Sequence, residues 1–291
     1  MAPDPRTLAA RTLGTAQRRL ATALRSRVAG PDAHEAAARI WETPGPRWFA
    51  PEDPIWRVHE DASMFTGGVA ALLLQSLHPS AMAGVAGHSG FRGDPWGRLQ
   101  RTSHYLATTT YGTIEHAEEA VDVVRAVHAR VRGTSDLGVS YAADDPHLLR
   151  WVHVAEVWCF LRAHQLFGER LLTPDEADTY VAQTAVPAQR LGAHDLPMTV
   201  AQLEAALVEH RTELVVTEAA RDAATFLLRE PPLPAAARPG YALIAAGALS
   251  VLPPWAGEML DLTATSGVGR VLARAAGHTS TRLVRWGMAG S

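Results

Sequence analysis

A chain of 291 residues with 47% hydrophobic and 20% charged side chains carries enough apolar surface for one large domain or two small ones, which excludes a disordered or low-complexity protein. A net charge of -3, with no Lys/Arg-rich tract beside an aromatic platform, gives no electrostatic reason to expect nucleic acid. The single cysteine, Cys159, sits between Trp158 and Phe160 and reads as a small buried hydrophobe in a reducing compartment, with no intrachain disulfide.

Residues 1–45 read as an N-terminal helical arm, with Leu13, Ala16, Leu20 and Leu24 at helical spacing. The Arg18-Arg19 pair is what a twin-arginine leader needs, but Arg25 and Arg27 interrupt the apolar stretch that should follow. No run of 18 uncharged apolar residues occurs, so no membrane span and a cytoplasmic location are expected. After the breakers at Pro44 to Pro46 and Pro51 to Pro54, the pattern predicts one helix over Ile55 to Leu77. A loop rich in glycine and small residues (Gly84, Gly87, Ser89, Gly90, Gly93) should follow His78-Pro79.

A new helix is expected to open at Asp94-Pro95, where the carboxylate caps free N–H groups and proline presets φ. On it Arg98 and Thr102 are four apart, as are Arg101 and Tyr105 on the adjoining stripe, so both guanidiniums are expected to face inward. Beside Trp96, Leu99, Tyr105 and Leu106 they need a partner: a carboxylate, a phosphate or the propionates of a haem. The next helix, Glu115 to Arg132, carries the stripe Ala117, Val121, Val124, His128, Val131. Asp144-Asp145-Pro146 starts a strongly apolar helix reaching Leu172, with His153, Val157, Phe160 and His164 on one face. Further helices are expected from Thr173 to Gly192, from Val200 to Leu228 and from Tyr241 to Leu252. The basic C-terminal tail, 263–291, holds Arg270, Arg274, Arg282 and Arg285 and suggests a surface helix. Sustained period-2 alternation is missing, so the fold class is all-α, a single large helical domain over 46–262.

Histidine is the most informative residue type, with 13 in the chain. On the His128 stripe the neighbours Val124 and Val131 leave a flat surface for a planar cofactor, which the imidazole could ligate through iron. Arg98, Arg101 and Thr102 could then hold propionates or face the open coordination position. Arg101, or one of His78, His88 and His104, would steer protons, while His153 lines the pocket or donates a supporting hydrogen bond. A different reading is a non-haem metal-dependent oxidase or hydrolase on His153, Glu156 and His164, completed by His128 and Glu115 or Glu119.

The ordered runs Leu72 to Pro79, Gly84-Val85-Ala86-Gly87-His88-Ser89, Phe91-Arg92-Gly93-Asp94-Pro95-Trp96-Gly97-Arg98-Leu99-Gln100-Arg101-Thr102, Val127 to Gly133, Tyr141 to Pro146 and Trp151-Val152-His153 resemble the oxygenase family of latex clearing protein (rubber oxygenase) and MpaB. The resemblance covers residues 50–260 and implies an all-helical domain with one haem b buried between core helices. It places the axial histidine at His128 and the family's basic pair and threonine at Arg98, Arg101 and Thr102. Rubber oxygenases carry lysine where this chain has Arg101, so a closed state with an amine on the iron is not expected. A small apolar intracellular substrate, oxidised with O₂ or peroxide and with a possible electron donor, is expected instead of rubber. A haem or apolar-ligand binder without catalysis is the remaining alternative.

Overall fold

The computed structural model describes residues 33–89, 91–262 and 267–289, together with the isolated positions Gly14, Gln17, Thr22 and Gly30. Most of the expected N-terminal arm lies outside the described residues. The helices are α1 (Ala33–Trp41), α2 (Pro54–His59), α3 (Ser63–Gln75), α4 (Pro79–Gly84) with a π-turn at Val85–Ser89, α5 (Pro95–Tyr111) and α6 (Ile114–His128). After a small antiparallel hairpin of β1 (Arg132–Thr134) and β2 (Ser140–Ala142) come α7 (Pro146–Phe167), α8 (Pro174–Leu191) and α9 (Val200–His210). The 3₁₀ turn Arg211–Glu213 leads to α10 (Glu218–Leu228), α11 (Arg238–Val251), α12 (Pro254–Met259) and α13 (Gly267–Met288). The described chain is thus all-α apart from one hairpin.

A polar residue followed by proline starts the helices that matter most here. The Asp94 side chain accepts from the Gly97 N–H at 2.9 Å, and Asp145 accepts from the His147 N–H at 2.9 Å. Thr173 and Glu176 close a reciprocal capping box ahead of α8. Each satisfies N–H groups that a helix end would otherwise leave bare, while proline gives up a donor the first turn does not need.

α3 and α7 pack along one another as the centre, with Leu73, Leu74, Leu77, Trp151 and Val154 fully buried between them and their neighbours. Gly67 permits the approach, since a Cβ there would lie 3.1 Å from the Ala163 Cβ. α11 lies on α3, and α13 crosses α11 so closely that a Cβ on Gly247 would stand 2.6 Å from the Gly277 Cα. The expected surface tail is therefore a packed helix, burying Ala273, Gly277, Thr281 and Val284 and turning Val268, Val271 and Leu272 outward.

Four expectations are corrected. The helix over Ile55 to Leu77 breaks at Glu60–Asp61, because the Asp61 carboxylate takes the Ser63 N–H at 2.7 Å and Arg285 of α13 at 2.9 Å. The predicted loop after His78 is largely helical through α4 and its π-turn. The helix over Val200 to Leu228 is two helices, split where Leu214 dives into the core and the Val215 N–H reaches the Leu77 carbonyl at 2.8 Å. A hairpin follows α6, with Tyr141 lying over Gly84 and Gly133. No single described helix is long and apolar enough to cross a membrane; α3 and the segment after it pass that test only as a pair bent by 106°.

Candidate functional site

Among the described residues, α3 is left open at Gly68 and Leu72. Leu72 is 38% exposed, and a Cβ on Gly68 would meet nothing within 4 Å. On α7 two polar side chains lie deep in the fold yet keep part of their surface accessible: His153 and Glu156. His153 Nε2 is buried without a hydrogen-bond partner, and burial pushes its pKa down to about 4, so the ring is neutral. Burial raises the Glu156 carboxyl to about 7. Tyr105 of α5 is its electrostatic neighbour; burial first, and Glu156 second, push the phenol well above its ordinary range.

The second part of the expected site lies where α6 ends. His128 is the last residue of α6, half-buried between Val124 and Val131, with its Nδ1 shielded and unpartnered. Burial lowers its pKa and the nearby Asp144 carboxylate raises it in partial compensation. Val131 comes within 4.0 Å of where a Gly84 Cβ would stand, so the π-turn and the hairpin close on the same corner. His88 Nδ1 is 3.4 Å from the Tyr141 hydroxyl there.

The two arginines do not look inward together. Arg98 is mostly covered, and burial followed by its neighbour Arg101 lowers its pKa. Arg101 is 64% exposed and donates from Nη1 to Asp94 at 3.2 Å, and Thr102 is exposed beside it. The capping carboxylate of α5 thus draws Arg101 to the rim. His104 is also exposed.

His78 belongs to another group. Its Nδ1 accepts the Ala81 N–H at 3.5 Å as the N-cap of α4, its ring lies 6.1 Å from that of Trp151, and its Nε2 is 3.5 Å from Glu213. A catalytic part for His78 beside Arg101 therefore loses its geometric basis. The alternative non-haem set does not assemble either: His164 donates from Nε2 to the Arg170 carbonyl at 2.9 Å. Among the described residues the one group of three with ligand atoms gathered for a metal is His147, His210 and Glu213. A surface pocket of about 390 Å³ is lined by Arg150, Asp195, Pro197 and Glu209 among others, and contains none of the residues expected to seat a haem.

Sequence reasoning gave Glu156 only a ligand's part and passed over His59 and Tyr180. His59 Nδ1 is 2.8 Å from the Thr110 hydroxyl and its Nε2 3.4 Å from that of Tyr180, and burial pushes its pKa down to about 3. Glu156 acts on Tyr180 as well as Tyr105. The available signal was a single acid between Arg150 and Arg162 on an otherwise apolar helix.

A family model described as "ER-bound oxygenase mpaB/B'/Rubber oxygenase, catalytic domain" matches residues 56–286, so the match takes in α13. No curated protein and no solved structure matches the chain.

Proposed function

Because the chain belongs to the family of mpaB/rubber oxygenase catalytic domains, whose activity is oxidative, we propose that it holds one haem b on His128 and oxidises a small apolar substrate. The observation that carries this reading is the shielded, unpartnered nitrogen of His128 on a valine-lined helix end, where the motif resemblance implies the axial histidine. A buried imidazole with an unsatisfied nitrogen is costly unless a ligand repays it. The residues present fit the group: a neutral imidazole, a covered guanidinium on the neighbouring helix and an open apolar face.

When bound, the haem supplies the activation of O₂ or peroxide that side chains do not supply. The chain's own residues do the rest. Arg98 offers a partly desolvated cation for a propionate, where a guanidinium binds a carboxylate in two places at once. Arg101, tied to Asp94, stands with Thr102 at the rim and screens the entrance. Gly68 and Leu72 give the substrate an apolar wall. Glu156, balanced near neutral pH, holds or gives up a proton at its carboxyl, and Tyr105 stays protonated beside it as a donor. The oxidant is O₂ or peroxide, with an electron donor where O₂ is used, and the buried free thiol of Cys159 suits a reducing cytoplasm.

His153 is a second reading for the iron ligand, favoured by its own buried and unpartnered Nε2. Absorption spectra of the haem-loaded protein separate the two. The expected result is a Soret band that His128→Ala abolishes and His153→Ala keeps; a band that survives His128→Ala and vanishes in His153→Ala overturns the assignment, and no band in any form overturns the haem.

A further inference from the structure

Where α7 begins and α9 ends, three side chains from two parts of the chain converge outside the site just described. His147 is the second residue of α7, His210 the last of α9, and Glu213 lies in the 3₁₀ turn that follows. His147 Nε2 is 2.8 Å from Glu213 Oε2, His210 Nδ1 is 4.0 Å from Glu213 Oε1, and the three ligand atoms all lie within 4.8 Å of one another. A tetrahedral ion about 2.0–2.1 Å from nitrogen and oxygen ligands needs those atoms about 3.3 Å apart. The observed separations straddle that value, so rotations of the side chains would complete the geometry.

His210 supplies the independent sign of a ligand. Its side chain is 0% exposed, its Nδ1 is buried with no hydrogen-bond partner, and its ring is packed 5.4 Å from that of Trp151 and 4.8 Å from that of His147. A fully buried imidazole with an idle nitrogen aimed at a carboxylate beyond hydrogen-bond reach leaves room for something between them. His147 and Glu213 are half-exposed and 39% exposed, so solvent and ions reach the group from their side.

We propose that His147, His210 and Glu213 form a binding site for a divalent transition metal of the Zn²⁺ class, with water completing the coordination on the exposed side. Two imidazoles and a carboxylate suit zinc and its neighbours rather than Mg²⁺ or Ca²⁺, which want oxygen ligands. His78 supports it from behind: its Nδ1 accepts the Ala81 N–H, so its proton sits on Nε2, 3.5 Å from Glu213 Oε2, where it orients the carboxylate. Binding through Nδ1 requires the His210 proton on Nε2, which faces an Arg150 Nη1 at 3.4 Å. That contact is long, and Arg150 is held elsewhere by Glu209 at 2.7 Å and the Asp195 carbonyl at 3.0 Å, so it yields at some cost in affinity. The ion staples the start of α7 to the turn after α9, whose Val215 already holds the end of the α3 segment through Leu77.

The test uses the untagged full chain stripped with a chelator, melted with and without Zn²⁺ or Mg²⁺, and titrated with Co²⁺ for its visible ligand-field band. Expected are a rise in Tm with Zn²⁺ only, one Co²⁺ per chain, and affinity at least about tenfold weaker in His147→Ala and in Glu213→Gln, whose partly exposed side chains leave the metal-free Tm nearly unchanged. No Zn²⁺-dependent shift overturns the site; a shift kept in both variants puts the ion elsewhere, and an equal shift with Mg²⁺ refutes the ligand chemistry.

Discussion

Replacing Glu156 by glutamine should convert a pH-dependent weakness of the fold into a pH-independent one. In the folded chain the carboxyl titrates at about 7 against 4.5 in its ordinary state, with burial as the cause. Between those values the folded state binds more protons than the unfolded one, so this group's favourable contribution is complete below pH 4.5 and is lost as pH rises through 7. A shift of that size, at 1.36 kcal/mol per unit, sets an upper bound of about 3.4 kcal/mol, and the partial solvent exposure of Glu156 reduces it to about 2–3 kcal/mol. Glutamine keeps the shape and cannot ionise. Urea unfolding of both proteins at pH 5, 6, 7 and 8 should show Glu156→Gln gaining about 2 kcal/mol relative to the parent between pH 5 and 8. The buried histidines His59, His153 and His210 slope the other way, but they do so in both proteins and cancel in the difference. A difference that stays flat across the range would show that Glu156 titrates as an ordinary surface acid and that burial does not hold its proton.

Three further outcomes are expected. Gly247→Ala should cost about 1–3 kcal/mol in urea unfolding, because its methyl group meets the Gly277 Cα at 2.6 Å; Gly277→Ala should cost less, since it meets the Phe167 ring, which can tilt. Arg285→Ala strips the partner from an Asp61 side chain that is only 8% exposed and should lower stability by about 3 kcal/mol, whereas adding Asp61→Asn should restore part of that loss, measured as a double-mutant cycle. Haem retention, followed by transfer to an apo-globin acceptor, should fall about tenfold or more in Arg98→Ala and hardly change in Arg101→Ala, because only Arg98 is covered.

The helix starts were legible because each is a local device. Asp94, Asp145 and Thr173 bond N–H groups two or three residues ahead of themselves, and such pairs can be read from the chain without knowing the fold. The breaks were not legible, because their causes are remote. Nothing near Asp61 announces that its carboxylate will be claimed by Arg285, nor does Val215 show that its N–H will meet Leu77. Arg98 and Arg101 fail in a subtler way: helical spacing turns both toward one side, and the Asp94 that starts their helix then pulls Arg101 to the rim.

The residues proposed for the two sites divide along the same line. His128 could be singled out because its valine stripe is periodic within four turns of helix, while the His147, His210 and Glu213 group joins a local His210–Glu213 spacing to a histidine 66 residues from that glutamate. Glu156 lies between these cases. A lone acid on an apolar helix either faces water, where its pKa is ordinary, or is enclosed, where the folding energy must carry an uncompensated carboxyl. The sequence offers both outcomes equally. Burial near Tyr105 selects the second, and a fold that tolerates a loss of about 2 kcal/mol as pH rises through neutrality carries in return a carboxyl that exchanges its proton near pH 7.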